Sequence, residues 1–159
     1  MTEDNTHGMA TTEYAFRKIA AAYDGSDNSA RAVGVAAGIA AKLGSELLVV
    51  HVYSSPVIPY SVAGAPVPNY AELERVAEDS AKTTLAKGVR LAKESGVATR
   101  GELLEASSTV QALTEFTASE KVDLLVVGTR GMTGFKKLIL GSVSSGLVGH
   151  ASCSVLVVR

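Results

Sequence analysis

Leu124, Leu125, Val126 and Val127 form a continuous aliphatic run that Gly128 ends. A run this short, with no polar residue alternating through it, suits a strand covered on both faces. Strands covered on both faces belong to parallel sheets, and parallel neighbours must be joined by crossovers long enough to hold a helix. This one stretch therefore demands a chain in which strands and helices alternate.

The rest of the sequence meets that demand. Lys18 to Tyr23 reads as a first strand, although its alanines favour a helix by propensity alone. Asp24-Gly25-Ser26 breaks it, and Ser26 or Asp27 can cap a helix in which Val33, Ala37, Ala40 and Leu43 recur at helical spacing until Gly44. Gly34 and Gly38 weaken that helix intrinsically, and close packing on a sheet is the expected compensation. Leu47 to Tyr53 is a second apolar strand. All the prolines, Pro56, Pro59, Pro66 and Pro68, fall in the loop from Ser54 to Asn69, whose length suits either a lid or a floppy insertion. From Tyr70 to Gly96 a long amphipathic helix carries Leu73, Val76, Ala77, Ala81, Leu85, Val89 and Ala92 on one face. Thr99 to Glu105 is a weaker strand, and Ser107 or Ser108 caps a helix bearing Val110, Leu113 and Phe116. Val122 opens the fourth strand, Gly141-Ser142 opens the last helix, and Ser154 to Val158 closes the chain as a strand.

Five strands alternating with helices predict a single α/β domain of three layers, with a parallel sheet covered on both faces. Right-handed crossovers bring all strand carboxyl ends to one edge, so Asp24, Tyr53, Glu105 and Gly128 line one rim. Residues 1 to about 14 are polar and aperiodic and read as a disordered tail, which leaves 15–159 as the domain.

Composition narrows the functions. A length of 159 residues with 47% apolar and 19% charged content fits one globular domain with a core. There is no apolar run of about 18 residues and no basic, apolar leader, which argues against a membrane partner and for the cytoplasm. A net charge of −1 without a basic stripe argues against a nucleic-acid partner. The single cysteine, Cys153, reads as a buried structural thiol. His7, His51 and His150 show no metal-ligand spacing, and His51 suits a hydrogen-bonded packing role. Ser142 and His150 lie roughly 12 Å apart along one helix, too far for a nucleophile and its base.

The glycines after the fourth strand carry the most chemistry. Gly128, Gly131 and Gly134 let backbone N–H groups approach a ligand, and the amides of a helix opening at Ser142 favour an anion such as phosphate. No Walker Gly-Lys-Ser/Thr occurs, and the spacing is wrong for a Rossmann Gly-x-Gly-x-x-Gly. Gly128-x2-Gly131-x9-Gly141-Ser142 after a strand ending Val-Val-Gly resembles the ATP-binding signature of the universal stress protein family. The likeness extends to Lys18-Ile through Asp24-Gly-Ser, to His51-Val52, and to Cys153-Ser-Val-Leu-Val-Val-Arg159. It departs from the family at Ala22, where some ATP-binding members have proline, and at Ala106, where glycine is common.

The resemblance implies a Rossmann-like, flavodoxin-like sheet of order 3-2-1-4-5, in which loops after strands one and four diverge and open a crevice. It also implies that the Val52 backbone reads the adenine edge and that Asp24 lies beside the base. Taken alone, Asp24 is as consistent with capping its own turn. Gly128, Gly131, Gly141 and Ser142 would surround ribose and phosphates, with Ser144 a further phosphate contact and Arg130 neutralising charge. The ligand implied is ATP, or AMP or ADP, with Mg as a possible companion of the phosphates. No protein metal site and no catalytic residue is read from the sequence. The function implied is a stress-response sensor or regulator acting as a homodimer through its C-terminal strand. The alternatives are the same fold used for protein interaction without nucleotide, or a slow ATP hydrolase.

Overall fold

Lys18–Ala22 forms the central strand β1 against its alanine-rich propensity, because Ile19, Ala20 and Ala21 are wholly buried between neighbouring strands and helices. Tertiary burial outweighs the few tenths of a kcal/mol by which propensity opposes a strand here. The computed structural model describes residues 16–56, 69–129 and 140–159. The proposed tail and most of the proline-rich loop lie outside them. After β1 come α1 (Asp27–Leu43), β2 (Glu46–Tyr53), α2 (Tyr70–Lys93), β3 (Thr99–Glu105), α3 (Thr109–Ser119), β4 (Leu124–Gly128), α4 (Ser142–His150) and β5 (Ser154–Val158).

The sheet runs β3-β2-β1-β4-β5 and every pairing is parallel. Its side chains divide by alternation between two cores. Ile19, Ala21, Leu47, Val49, Leu124 and Val126 meet α1 and α2, whereas Ala20, Leu48, Val50, Leu125 and Val127 meet α3 and α4. The three-layer α/β domain of order 3-2-1-4-5 is therefore the fold. No helix among the described residues is long and apolar enough to cross a membrane.

Four expectations need correction. Gly34 and Gly38 do not pack on the sheet; they are exposed, and a β carbon on either would meet nothing within 4 Å. The face that approaches the sheet is Ser29, Ala32, Val33, Ala36, Ala37 and Ala40, with alanines supplying the close approach. Leu43 closes the helix 53% exposed. Leu73 and Val76 are 40% and 56% exposed, and the buried residues of α2 start only at Ala81. Finally, β4 starts at Leu124 rather than Val122. Asp123 is spent before the strand, its carboxylate accepting the amides of Arg17 and Lys18 at 2.8 Å each.

The amino edge of the sheet is closed by charge. Glu120 meets Lys18 at 3.5 Å and Arg100 at 2.8 Å, which ties the end of α3 to β1 and β3. These pairs are solvent-accessible and each is worth at most about 1 kcal/mol. The carboxyl edge has a different construction.

Candidate functional site

At the carboxyl edge, β1 and β4 are neighbours whose following helices lie on opposite faces of the sheet. α1 follows β1 on one face and α4 follows β4 on the other, which makes the β1–β4 boundary a topological switch point, where a crevice is expected. In open α/β sheets this is the position that ligands use.

The β1 wall is built first by Tyr23, which is buried, donates its amide to the Val50 carbonyl at 2.8 Å and receives the His51 imidazole Nδ1 on its own carbonyl at 2.8 Å. His51 is thus the packing residue that the sequence suggested. Asp24 follows, half-buried, and its Oδ1 accepts the Ser26 amide at 3.0 Å. Gly25 between them has φ +88°, a left-handed turn that other residues adopt only at a cost. Ser26 then caps α1 by accepting the Ser29 amide at 3.2 Å, and the Asp24 amide donates to Ser29 Oγ at 3.3 Å. Asp24 therefore performs the local capping role, which also fixes its carboxylate at the mouth of the crevice.

Val52 stands at the same rim on β2. The Tyr23–Val50 bond shows that even-numbered residues of β2 direct their backbone groups toward β1, and Tyr53 accepts the Ala106 amide at 2.9 Å on the opposite side. Strand alternation therefore aims the Val52 N–H and C=O toward the β1 side, beyond the last residue of β1. That orientation suits backbone recognition of a flat base.

The β4 wall is tied more tightly than its glycines suggest. Gly128 sits against the first turn of α1, where a β carbon would stand 2.8 Å from the Asn28 carbonyl carbon. Its lack of side chain is used by the fold itself. Thr129 is buried, its amide bonds the Val158 carbonyl at 2.8 Å, and its carbonyl accepts the Gly141 amide at 2.7 Å. Residues 129 and 141 are therefore clasped together across the intervening segment. Arg130 and Gly131 lie within 130–139, outside the described residues.

Gly141 is also the N-cap of α4 and brings no side chain to the helix start. Helix geometry leaves the amides of Ser142, Val143 and Ser144 without intrahelical acceptors, and the helix dipole adds partial positive charge there. By contrast, α1 and α3 are capped by Ser26 and Ser108. Ser142 is exposed at this end. Ser144 is buried and its hydroxyl lies 3.2 Å from the Thr129 carbonyl and 3.1 Å from that of Gly141. Its one proton is engaged by backbone, so it braces the clasp, and a phosphate would have to compete for it.

The sequence profile of the universal stress protein family matches residues 15–159. The chain belongs to that family. A universal stress protein of Thermus aquaticus is 37% identical over 148 residues, which cover 91% of this chain and 99% of the relative. The solved universal stress protein UspA from Lactobacillus plantarum shares the fold with a TM-score of 0.77 at 22% identity, over 91% of this chain and 98% of that one. A solved universal stress protein in complex with cAMP is 28% identical with a TM-score of 0.68, over 91% of this chain and 98% of that one.

Within this universal stress protein domain the structure brings Asp24, Val52, Gly128, Gly141, Ser142 and Ser144 to one rim. Sequence reasoning overlooked Asn28, Ser29 and Thr129. Ser26-x-x-Ser29 was a legible capping signal, whereas the partner of Gly128 and the clasp at Thr129 depend on contacts distant in sequence. Among the described residues no cluster of His, Cys, Asp or Glu could hold a metal ion. Cys153 is half-buried rather than buried as the sequence suggested, and desolvation still pushes its thiol above its ordinary pKa, which disfavours the reactive thiolate.

Proposed function

We propose that this chain binds ATP in the crevice between the carboxyl ends of β1 and β4 and acts as a cytoplasmic, homodimeric sensor or regulator in a stress response. The observation that carries the reading is the start of α4. Its amides, without a side-chain cap, open beside the Gly128–Thr129 end of β4, at the switch point where a phosphate chain gains both hydrogen bonds and the helix dipole. The cAMP complex of a 28% identical relative supports an adenine nucleotide as the ligand class.

In this reading the Val52 backbone meets the adenine edge and Asp24 accepts a hydrogen bond from the base amino group or a ribose hydroxyl. Gly128, Arg130, Gly131, Gly141 and Ser142 surround ribose and phosphates. Ser144 holds the Thr129–Gly141 clasp and contacts phosphate only if its proton changes partner. Mg would accompany the phosphates rather than occupy a protein-built site.

The reading is one of binding, since the sequence has no Walker motif and no base for phosphoryl transfer is identified among the described residues. Purified protein should release a near-stoichiometric adenine nucleotide on denaturation, detected by mass spectrometry, and turn ATP over negligibly. Protein that carries no adenine compound and takes up none from added ATP, ADP or AMP would refute the proposal. Turnover of several per second that disappears with Asp24→Ala or His51→Ala would make it an enzyme instead.

A further inference from the structure

On the α3 and α4 side, α3 packs on β2 and α4 and leaves β3 partly open, whereas on the other side α2 covers both β2 and β3. The result is a groove of about 540 Å³ between β3 and α3. Leu104, Ala112 and Phe116 contribute apolar lining and Glu115 contributes a carboxylate, whereas the Glu105 carboxylate lies with Tyr53 on the α2 face; no Lys or Arg lines the groove among the described residues.

The groove runs beside an unpaired strand edge. β3 is the outermost strand of the described sheet. Because Ala106 donates to Tyr53, the even-numbered residues of β3 face β2, and alternation turns the backbone groups of Gly101, Leu103 and Glu105 outward. The Glu115 carboxylate is held by a neutral donor, which leaves its charge in place. Gln111 Nε2 donates to it at 2.8 Å. An open edge offers main-chain pairing, an adjoining apolar trough selects alternate side chains, and acid selects base.

We propose that this groove is a docking site for an extended, basic segment of a partner protein, which adds as a strand along β3. Its side chains on the α3 face place an apolar residue over Leu104 and Phe116 and a lysine or arginine beside Glu115. The site lies at the β3 edge, with β2 between it and β1, and shares no residue with the proposed nucleotide site, so the proposal does not depend on nucleotide binding.

The test uses the full chain, labelled with nitrogen-15, and capped heptapeptides of alternating valine and lysine or of valine and glutamate. The lysine peptide should produce saturable amide shifts centred on Leu103, Glu105, Gln111 and Ser119. The glutamate peptide should bind roughly tenfold more weakly, equivalent to about 1.4 kcal/mol. Glu115→Lys, on an exposed helical surface, should reverse that preference while the rest of the spectrum stays unchanged. N-methylation of the lysine peptide on alternate amides should abolish binding in one register of methylation and spare it in the other, as strand pairing requires. Absence of saturable shifts with the lysine peptide would overturn the proposal, as would equal binding of both peptides. Shifts at the same amides on raising protein concentration alone would assign the groove to a second copy of this chain and overturn it equally.

Discussion

A β carbon on Gly128 would stand 2.8 Å from the carbonyl carbon and 3.0 Å from the carbonyl oxygen of Asn28. The contact is backbone against backbone, so no side-chain rotation can relieve it. It locks the end of β4 to the first turn of α1 and so fixes the spacing of the two crevice walls.

Gly128→Ala should therefore push the walls apart. Overpacking of this kind costs about 1–3 kcal/mol. Urea unfolding should show that loss, and nucleotide affinity should fall with it because the crevice changes shape. Unchanged stability together with unchanged affinity would mean that the two backbones separate freely.

The helical glycines should divide by what lies beside them. Gly34→Ala and Gly38→Ala place a methyl group in open space on an exposed face of α1, and each should stabilise the fold by about 0.5–1 kcal/mol. Gly88→Ala has the same intrinsic helix advantage, yet its β carbon would lie 2.6 Å from Tyr23 Cδ1 and 3.0 Å from Val49 Cγ1. That substitution should lower the melting temperature and disturb Tyr23, which carries the β1 wall. Thermal denaturation of the three variants checks the ordering; a Gly88→Ala protein as stable as Gly34→Ala would contradict it.

The second open edge of the sheet among the described residues is β5. Val158 accepts from Thr129 and Ser154 donates to Asp123, so alternation turns the backbone groups of Val155 and Val157 away from β4. Antiparallel pairing of two such strands about a two-fold axis would satisfy both edges. Val155→Pro removes an outward donor without removing a β4 ladder bond, and should convert a homodimer to a folded monomer. Light scattering should give twice the 16.4 kDa chain mass for the wild type and the single mass for the variant. A monomeric wild type at micromolar concentration would end this assignment.

How much of this was legible depends on the range of the interactions involved. Leu124 to Val127 and Leu47 to Val50 announce buried parallel strands because both faces are apolar, and the order of the sheet follows from the family signature. α1 is legible from its spacing and caps, but its glycines mislead about close approach, which the periodic alanines Ala32, Ala36 and Ala40 supply. In α2 the apolar spacing of Leu73 and Val76 is genuine, but periodicity cannot report whether anything covers a face. At the site, Asp24, Gly128 and Ser142 were legible as residues at strand ends and helix starts. The Gly128–Asn28 contact and the Thr129–Gly141 clasp were not, because each joins residues whose proximity exists only after folding.

The central claim is that a nucleotide phosphate sits on the start of α4, and one melting experiment with wild type and Ser142→Glu tests it most directly. A ligand at about 100 times its dissociation constant, bound only to the folded state, adds roughly 2.7 kcal/mol. At about 2–4 °C per kcal/mol for a domain of this size, saturating ATP should raise the wild-type melting temperature by roughly 5–11 °C. Ser142→Glu sets a carboxylate on the exposed first turn of α4, where it complements the dipole and should stabilise the free protein by about 0.3–1 kcal/mol. The same charge repels a phosphate, so the variant should melt slightly above the free wild type and show no ATP shift. A full ATP shift in Ser142→Glu, or no shift of the wild type with ATP, ADP or AMP, would contradict the account.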